Sequence, residues 1–121
     1  MSDRIMEKAR ELGAMLGQTA EYGALTRARK RLEEDQTLRP LLEAMDVLER
    51  ELAGLLQRGE QPDDAFRERY ETSFGELQAH ASYQAMVAAQ SNFDRLLSRV
   101  NDAIGQGMEQ GAGSRIIIPR G

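Results

Sequence analysis

His80 is the chain's single histidine, and Glu76 precedes it by four residues. On a helix that spacing sets both on one face, where a carboxylate could orient an imidazole for proton transfer or metal ligation. A di-iron carboxylate bundle needs two Glu-x-x-His pairs and two further glutamates. Here the spacing differs and a second histidine is missing. A nucleophilic triad fares no better, because His80 falls at an apparent helix junction without a convincing nucleophile beside it. His80 therefore reads as a surface or capping residue. The sequence contains no cysteine, which removes thiolate ligands, thiol nucleophiles and disulfides together and fits a reducing compartment.

Two other stretches invite chemistry. GQGMEQG, residues 105–111, is glycine-rich, but it follows a helix rather than a strand and lacks both the GxGxxG spacing and a Lys-Ser/Thr pair. Nucleotide binding is not expected there. The acidic groups Glu33-Glu34-Asp35 and Asp63-Asp64 sit where helix caps and first turns belong, so they need no metal. The densest basic run is Arg27, Arg29, Lys30 and Arg31. Arg27, Lys30 and Arg31 share a helix face and could touch RNA phosphates or an acidic partner. Pairing of Arg29 with Glu33 and of Lys30 with Glu34, and the lack of interleaved aromatics, favour a solvated face instead. No catalytic residue, cofactor or metal site is expected.

The elements that position these residues are helical. With 121 residues the chain fits one domain, and three Phe, three Tyr, no Trp and only three Pro favour helices over a sandwich or barrel. The net charge of −4 is too mild for a general nucleic-acid-binding surface. Charges at positions 3, 4, 7, 8 and 10 argue against a signal peptide, and no apolar stretch approaches the roughly 20 residues of a membrane span. A cytoplasmic protein without membrane insertion is the expectation.

A first helix is predicted over 3–17, with Asp3 as its cap and Ile5, Ala9, Leu12 and Leu16 as its stripe. Thr19 should cap a second helix, which closes near Glu33-Glu34-Asp35. The third has Leu38, Leu41, Met45, Leu48, Leu52 and Leu55 in alternating steps of three and four, a heptad seam. Asp35 or Thr37 would cap it, with Pro40 tolerated in its first turn. Gly59 and Pro62-Asp63-Asp64 mark a turn before a fourth helix carrying Phe66, Tyr70, Phe74 and Leu77. Ser82 should cap a fifth, whose seam is Tyr83, Met86, Gln90, Phe93, Leu97, Val100 and Ile104. Gln90, the polar member of that seam, is a candidate contact for a partner or a second copy. Gly13, Gly23, Gly54, Gly75 and Gly105 fall within these periods and mark either breaks or close backbone approach. The expected fold is an all-α helical bundle built on a long antiparallel helical hairpin of the two heptad helices, with the N-terminal helices packed alongside.

The end of the chain differs. Residues 107–121 form a glycine-rich tail in which Ile116, Ile117 and Ile118 precede Pro119. The glycines should break the fifth helix, and the isoleucines favour an extended strand that could pair with another protomer or lie in a helical groove. These three are candidate self-association or partner residues; a disordered end is the bland alternative.

Residues 5–35, IMEKARELGAMLGQTAEYGALTRARKRLEED, and residues 81–104, ASYQAMVAAQSNFDRLLSRVNDAI, carry a further signal. The first has a helix ending before a Thr-x-Glu-Tyr start and a second closing on acidic residues. The second sets Tyr83, Ala89-Gln90, Phe93, Leu97, Val100-Asn101 and Ile104 in order. Together they resemble the YlbF/YmcA family of small helical bacterial regulatory proteins over residues 4–106. The resemblance implies an all-helical, often oligomeric, non-enzymatic regulator of competence, sporulation and biofilm development, acting through complexes that assist endoribonucleolytic mRNA processing. Some members ligate iron–sulfur clusters through cysteines, which this chain lacks. The functional expectation is a helical adaptor that self-associates and binds other regulatory proteins, an endoribonuclease complex among them. A prefoldin-like holdase is the alternative, and direct RNA contact is left open.

Overall fold

The computed structural model describes residues 2–117, with the surroundings of side chains described through residue 113. Among these residues the chain forms five α-helices and no strands: α1 (Ser2–Gly17), α2 (Ala20–Glu34), α3 (Arg39–Gln57), α4 (Asp64–Ala79) and α5 (Ala81–Ile117). The all-α bundle is as expected. Its pairing is different. α5 packs principally against α2, and α3 against α4, so the two heptad helices do not form one long hairpin.

Side-chain size explains the first pair. Leu25, Ala28 and Ala89 are buried between α2 and α5, with Ala24, Met86 and Phe93 beside them. Three alanines let the two backbones approach, and Tyr22 meets Phe93 edge-on at 5.5 Å. Between α3 and α4 the packing is bulkier. Met45, Leu48, Phe66 and Leu77 are buried with Leu38, and Leu41, Leu42, Leu52, Leu55 and Tyr70 close around them. Leu32 of α2 and Tyr83 of α5 reach this second cluster, which ties the two helix pairs into one body.

The helix ends follow local chemistry at several places. Thr19 caps α2, its Oγ1 accepting the Tyr22 N–H at 3.1 Å while donating to the Leu16 carbonyl at 2.6 Å. Asp63 caps α4 by accepting the Phe66 N–H at 2.8 Å. Pro40 lies in the first turn of α3, where no backbone donor is lost. Gly59 closes α3 with φ +73°, the left-handed conformation in which a Cβ is strained. Gly59→Ala should therefore destabilise the protein by about 1 kcal/mol, measured by urea unfolding. A change near zero would show that the turn relaxes into another geometry.

Other expectations are corrected. α1 begins at Ser2, which puts Asp3 in its first turn rather than at the cap. α3 has no side-chain cap; Leu38 occupies that position, and Asp35 instead bonds the turn before it. Ser82 lies inside α5, and His80 takes the capping place. The glycines do not end α5, which is helical through Ile117. Glycine lowers helix propensity by about 1 kcal/mol per residue, but with no proline before Pro119 nothing removes a backbone donor. Ile116 and Ile117 are thus on a helix rather than a strand, and Ile118 lies outside the described residues.

Candidate functional site

The polar centre of the fold is a junction that no local pattern announces. Asp35 ends α2, Thr37 lies in the turn to α3, His80 separates α4 from α5, and Ser82 opens α5. Folding brings the two corners together. Ser82, only 1% exposed, donates its hydroxyl to Asp35 Oδ2 at 2.6 Å. The Thr37 hydroxyl and N–H donate to Asp35 Oδ1 at 2.6 and 3.0 Å. His80 Nε2 stands 2.8 Å from Thr37 Oγ1, and His80 Nδ1 accepts the Ser82 N–H at 3.2 Å.

These bonds select one arrangement of protons. Nδ1 acts as acceptor, so the neutral ring carries its proton on Nε2, which donates to Thr37; Thr37 in turn donates to Asp35. The carboxylate is the terminus of every chain of donors. The Ser82 hydroxyl, followed by Thr37, holds the Asp35 carboxyl down at about 2, below its ordinary 3.8, with His80 adding a smaller electrostatic contribution. His80 Nε2 is 3.7 Å from Asp35 Oδ2.

His80 is therefore a capping histidine. Its backbone N–H closes α4 on the Leu77 carbonyl, and its own carbonyl accepts the first helical bond of α5 from Gln84. Both ring nitrogens face Thr37 and Ser82, so the sequence-suggested partner Glu76, which is exposed, is not the one used. Sequence reading missed the cluster because its members are 43 and 47 residues apart across the contacts. The available signal was a polar residue in each of two short breaks, Asp35 and Ser82.

Chemically, the junction is a latch that ties the α2–α3 corner to the α4–α5 corner. Asp35 is committed to three donors, and the hydroxyl that faces the imidazole, that of Thr37, donates to the same carboxylate. Among the described residues no group of three or more His, Asp or Glu side chains is placed to hold a metal ion. Beside the latch, Arg27, Lys30, Arg31 and Glu34 line a shallow hollow with Asp35. All four basic candidates, Arg27, Arg29, Lys30 and Arg31, are exposed on α2. The anticipated pairs of Arg29 with Glu33 and Lys30 with Glu34 are not among the ion pairs of the described residues. Gln90 is half-buried and bonds Asp94 at 2.9 Å, on an open face of α5 shared with Tyr83, Met86, Val87 and Ser91. The structure thus separates the candidate groups it describes: basic residues on α2, Gln90 in the first third of α5, Ile116 and Ile117 at its far end.

A family model described as control of competence regulator ComK, YlbF/YmcA, matches residues 5–109. The chain belongs to the YlbF/YmcA family. The match takes in most of α1, all of α2 to α4 and most of α5; it begins one residue inside the 4–106 region of the sequence resemblance and ends three residues past it. Ile116 to Ile118 lie beyond it. A search of curated proteins found no match. The family's description gives this chain a regulatory role, and no helix among the described residues is long and apolar enough to cross a membrane.

Proposed function

We propose that this YlbF/YmcA-family protein is a non-enzymatic regulatory adaptor, which self-associates and binds other proteins through exposed helix faces. The observation that carries this reading is the division of labour along α5. At its start, titratable and hydroxyl groups are spent on one another in the Asp35 latch. One turn later, Val87 is 49% exposed on the open face that includes Met86 and Gln90. A helix face that sets Tyr83, Met86 and Val87 beside Gln90, with Asp94 and Arg95 following, suits a partner helix, with Gln90 and its neighbours fixing the register. In the cytoplasm, the partner class implied by the family is another regulatory protein, including components of an mRNA-processing endoribonuclease complex.

The test is affinity purification from the native host, identification of the recovered protein, and reconstitution from purified components. Val87→Glu should weaken that reconstituted complex at least tenfold, because it places a charge in the apolar contact while leaving the buried residues untouched. Failure to rebuild any complex below tens of micromolar would overturn the adaptor reading. Suppression of aggregation of an unfolded client by the isolated chain would instead favour the holdase.

A further inference from the structure

We infer that the groove between α3 and α4 is a second docking surface, and that its occupant is a basic amphipathic helix of a partner protein. The inference rests on the adaptor reading above and adds to it a surface and the chemistry of what that surface takes. It begins with what the fold leaves uncovered. The walls of the groove are Ala44 and Val47 of α3 and Ala65 and Thr72 of α4, with buried Leu48 between them. No residue of α1, α2 or α5 lines it. The space measures about 720 Å³, and Val47 stands in it 61% exposed.

Shape selects a helix. From Ala65 to Ser73 the groove runs for about 12 Å, a little over two helical turns. An extended segment would find no sheet edge to pair with, because the described residues form no strand. A helix instead lays side chains spaced by three and four residues into a groove of that length. The short side chains on both walls leave room for leucine-sized ones from the occupant. The groove shares no residue with the α5 face of Val87 and Gln90, so one chain can hold a partner at each, as an adaptor must.

Charge selects a basic one. Residues 39–79 hold ten of the chain's 20 acidic side chains and five of its 16 basic ones, so this helix pair carries the whole net charge of −4 and one unit more. Its basic residues are engaged or lie off the groove. Arg69 bonds Glu51 at 3.2 Å and rests 5.5 Å from the Phe66 ring centre. Arg50 is paired with Asp46, and Arg58 with Glu60. Arg67 stands on the other side of α4 with Leu52 and Tyr70, and Arg39 is the first residue of α3. Left over are Glu68 in the α4 wall and Glu43, one turn before Val47 on α3; neither is in an ion pair among the described residues. A helix with lysine or arginine on both flanks of its apolar stripe meets a carboxylate on each wall, whereas an acidic helix meets like charge.

The probe is a labelled synthetic peptide of about 18 residues, with leucines in a helical stripe and lysines elsewhere. One control replaces every lysine by glutamate; another keeps the composition and scatters the leucines. In fluorescence anisotropy with the full chain, the lysine peptide should bind, and both controls should bind at least about tenfold more weakly. Val47→Lys should weaken binding about tenfold, and the double variant Glu43→Gln/Glu68→Gln should weaken it several-fold and flatten its dependence on salt. All three positions are exposed, so the helicity of these variants should match the parent's. Val87→Glu should bind the peptide as the parent does. No binding of the lysine peptide, equal binding of the scattered one, or binding indifferent to Val47→Lys would overturn the inference. A change of oligomer size in Val47→Lys would overturn it too, by giving the groove to a second copy. If the peptide fails while the reconstituted partner complex still depends on Val87, the adaptor reading stands without this surface.

Discussion

Replacing Leu38 by alanine should lower the protein's stability by about 3 kcal/mol, the centre of the range for emptying a buried leucine site. Leu38 has no exposed surface, and it packs in the cluster of Met45, Leu48, Phe66 and Leu77. Eight hydrophobic side chains are buried among the described residues, so one leucine is a large part of the core. The position also limits relaxation. Leu38 accepts the first bonds of α3 through its carbonyl and is tied back to Asp35 through its N–H, so its backbone cannot move to fill the space. In thermal unfolding the midpoint should fall by about 10–15 °C for a domain of this size. Val47→Ala, on the helix that Leu38 precedes but at a residue 61% exposed, should change stability by less than about 0.5 kcal/mol. Equal effects at the two positions would contradict the burial assigned to Leu38.

The second large effect is a dependence on acid. Asp35 titrates at about 2 in the folded protein, against an ordinary value of 3.8. A carboxyl held below its unfolded value stabilises the fold above that value, and the contribution disappears as pH falls through the folded one. Stability from the latch is therefore complete above about pH 4 and is lost toward pH 2, following the shift of Asp35. Asp35→Asn should be less stable than the parent at pH 7. An amide has one accepting oxygen, and its NH₂ would confront a hydroxyl that now donates to the carboxylate, either Ser82 or Thr37. The difference between variant and parent should shrink as the pH drops from 4 to 2, measured by urea unfolding at each pH. A constant difference across that window would mean that the Asp35 charge does not hold the two corners together.

Helix identity was local information. The seam from Leu38 to Leu55, the Thr19 cap and the Gly59 turn each follow from neighbours within a few residues, and each forms as read. Family membership was legible for the same reason, since it rests on the order of such patterns. The site was legible only in fragments. His80 could be read as a capping residue, but its true neighbours could not be, because the only spatial neighbours a sequence supplies are three and four residues away. That rule selected Glu76, while folding supplied Asp35 and Thr37.

By itself, then, the sequence determined five helices, their apolar faces, the turns between most of them and the YlbF/YmcA family. Only the tertiary structure decided which face meets which. Two heptad seams look mutually suited in one dimension, yet the alanines at 24, 28 and 89 bring α2 closer to α5, and the bulkier residues of α3 close over Phe66 and Leu77. Periodicity fixes the direction in which a helix is apolar and carries no label for its partner. Partner choice depends on the sizes of side chains interleaved across the contact, and on a buried serine and a distant carboxylate meeting at 2.6 Å.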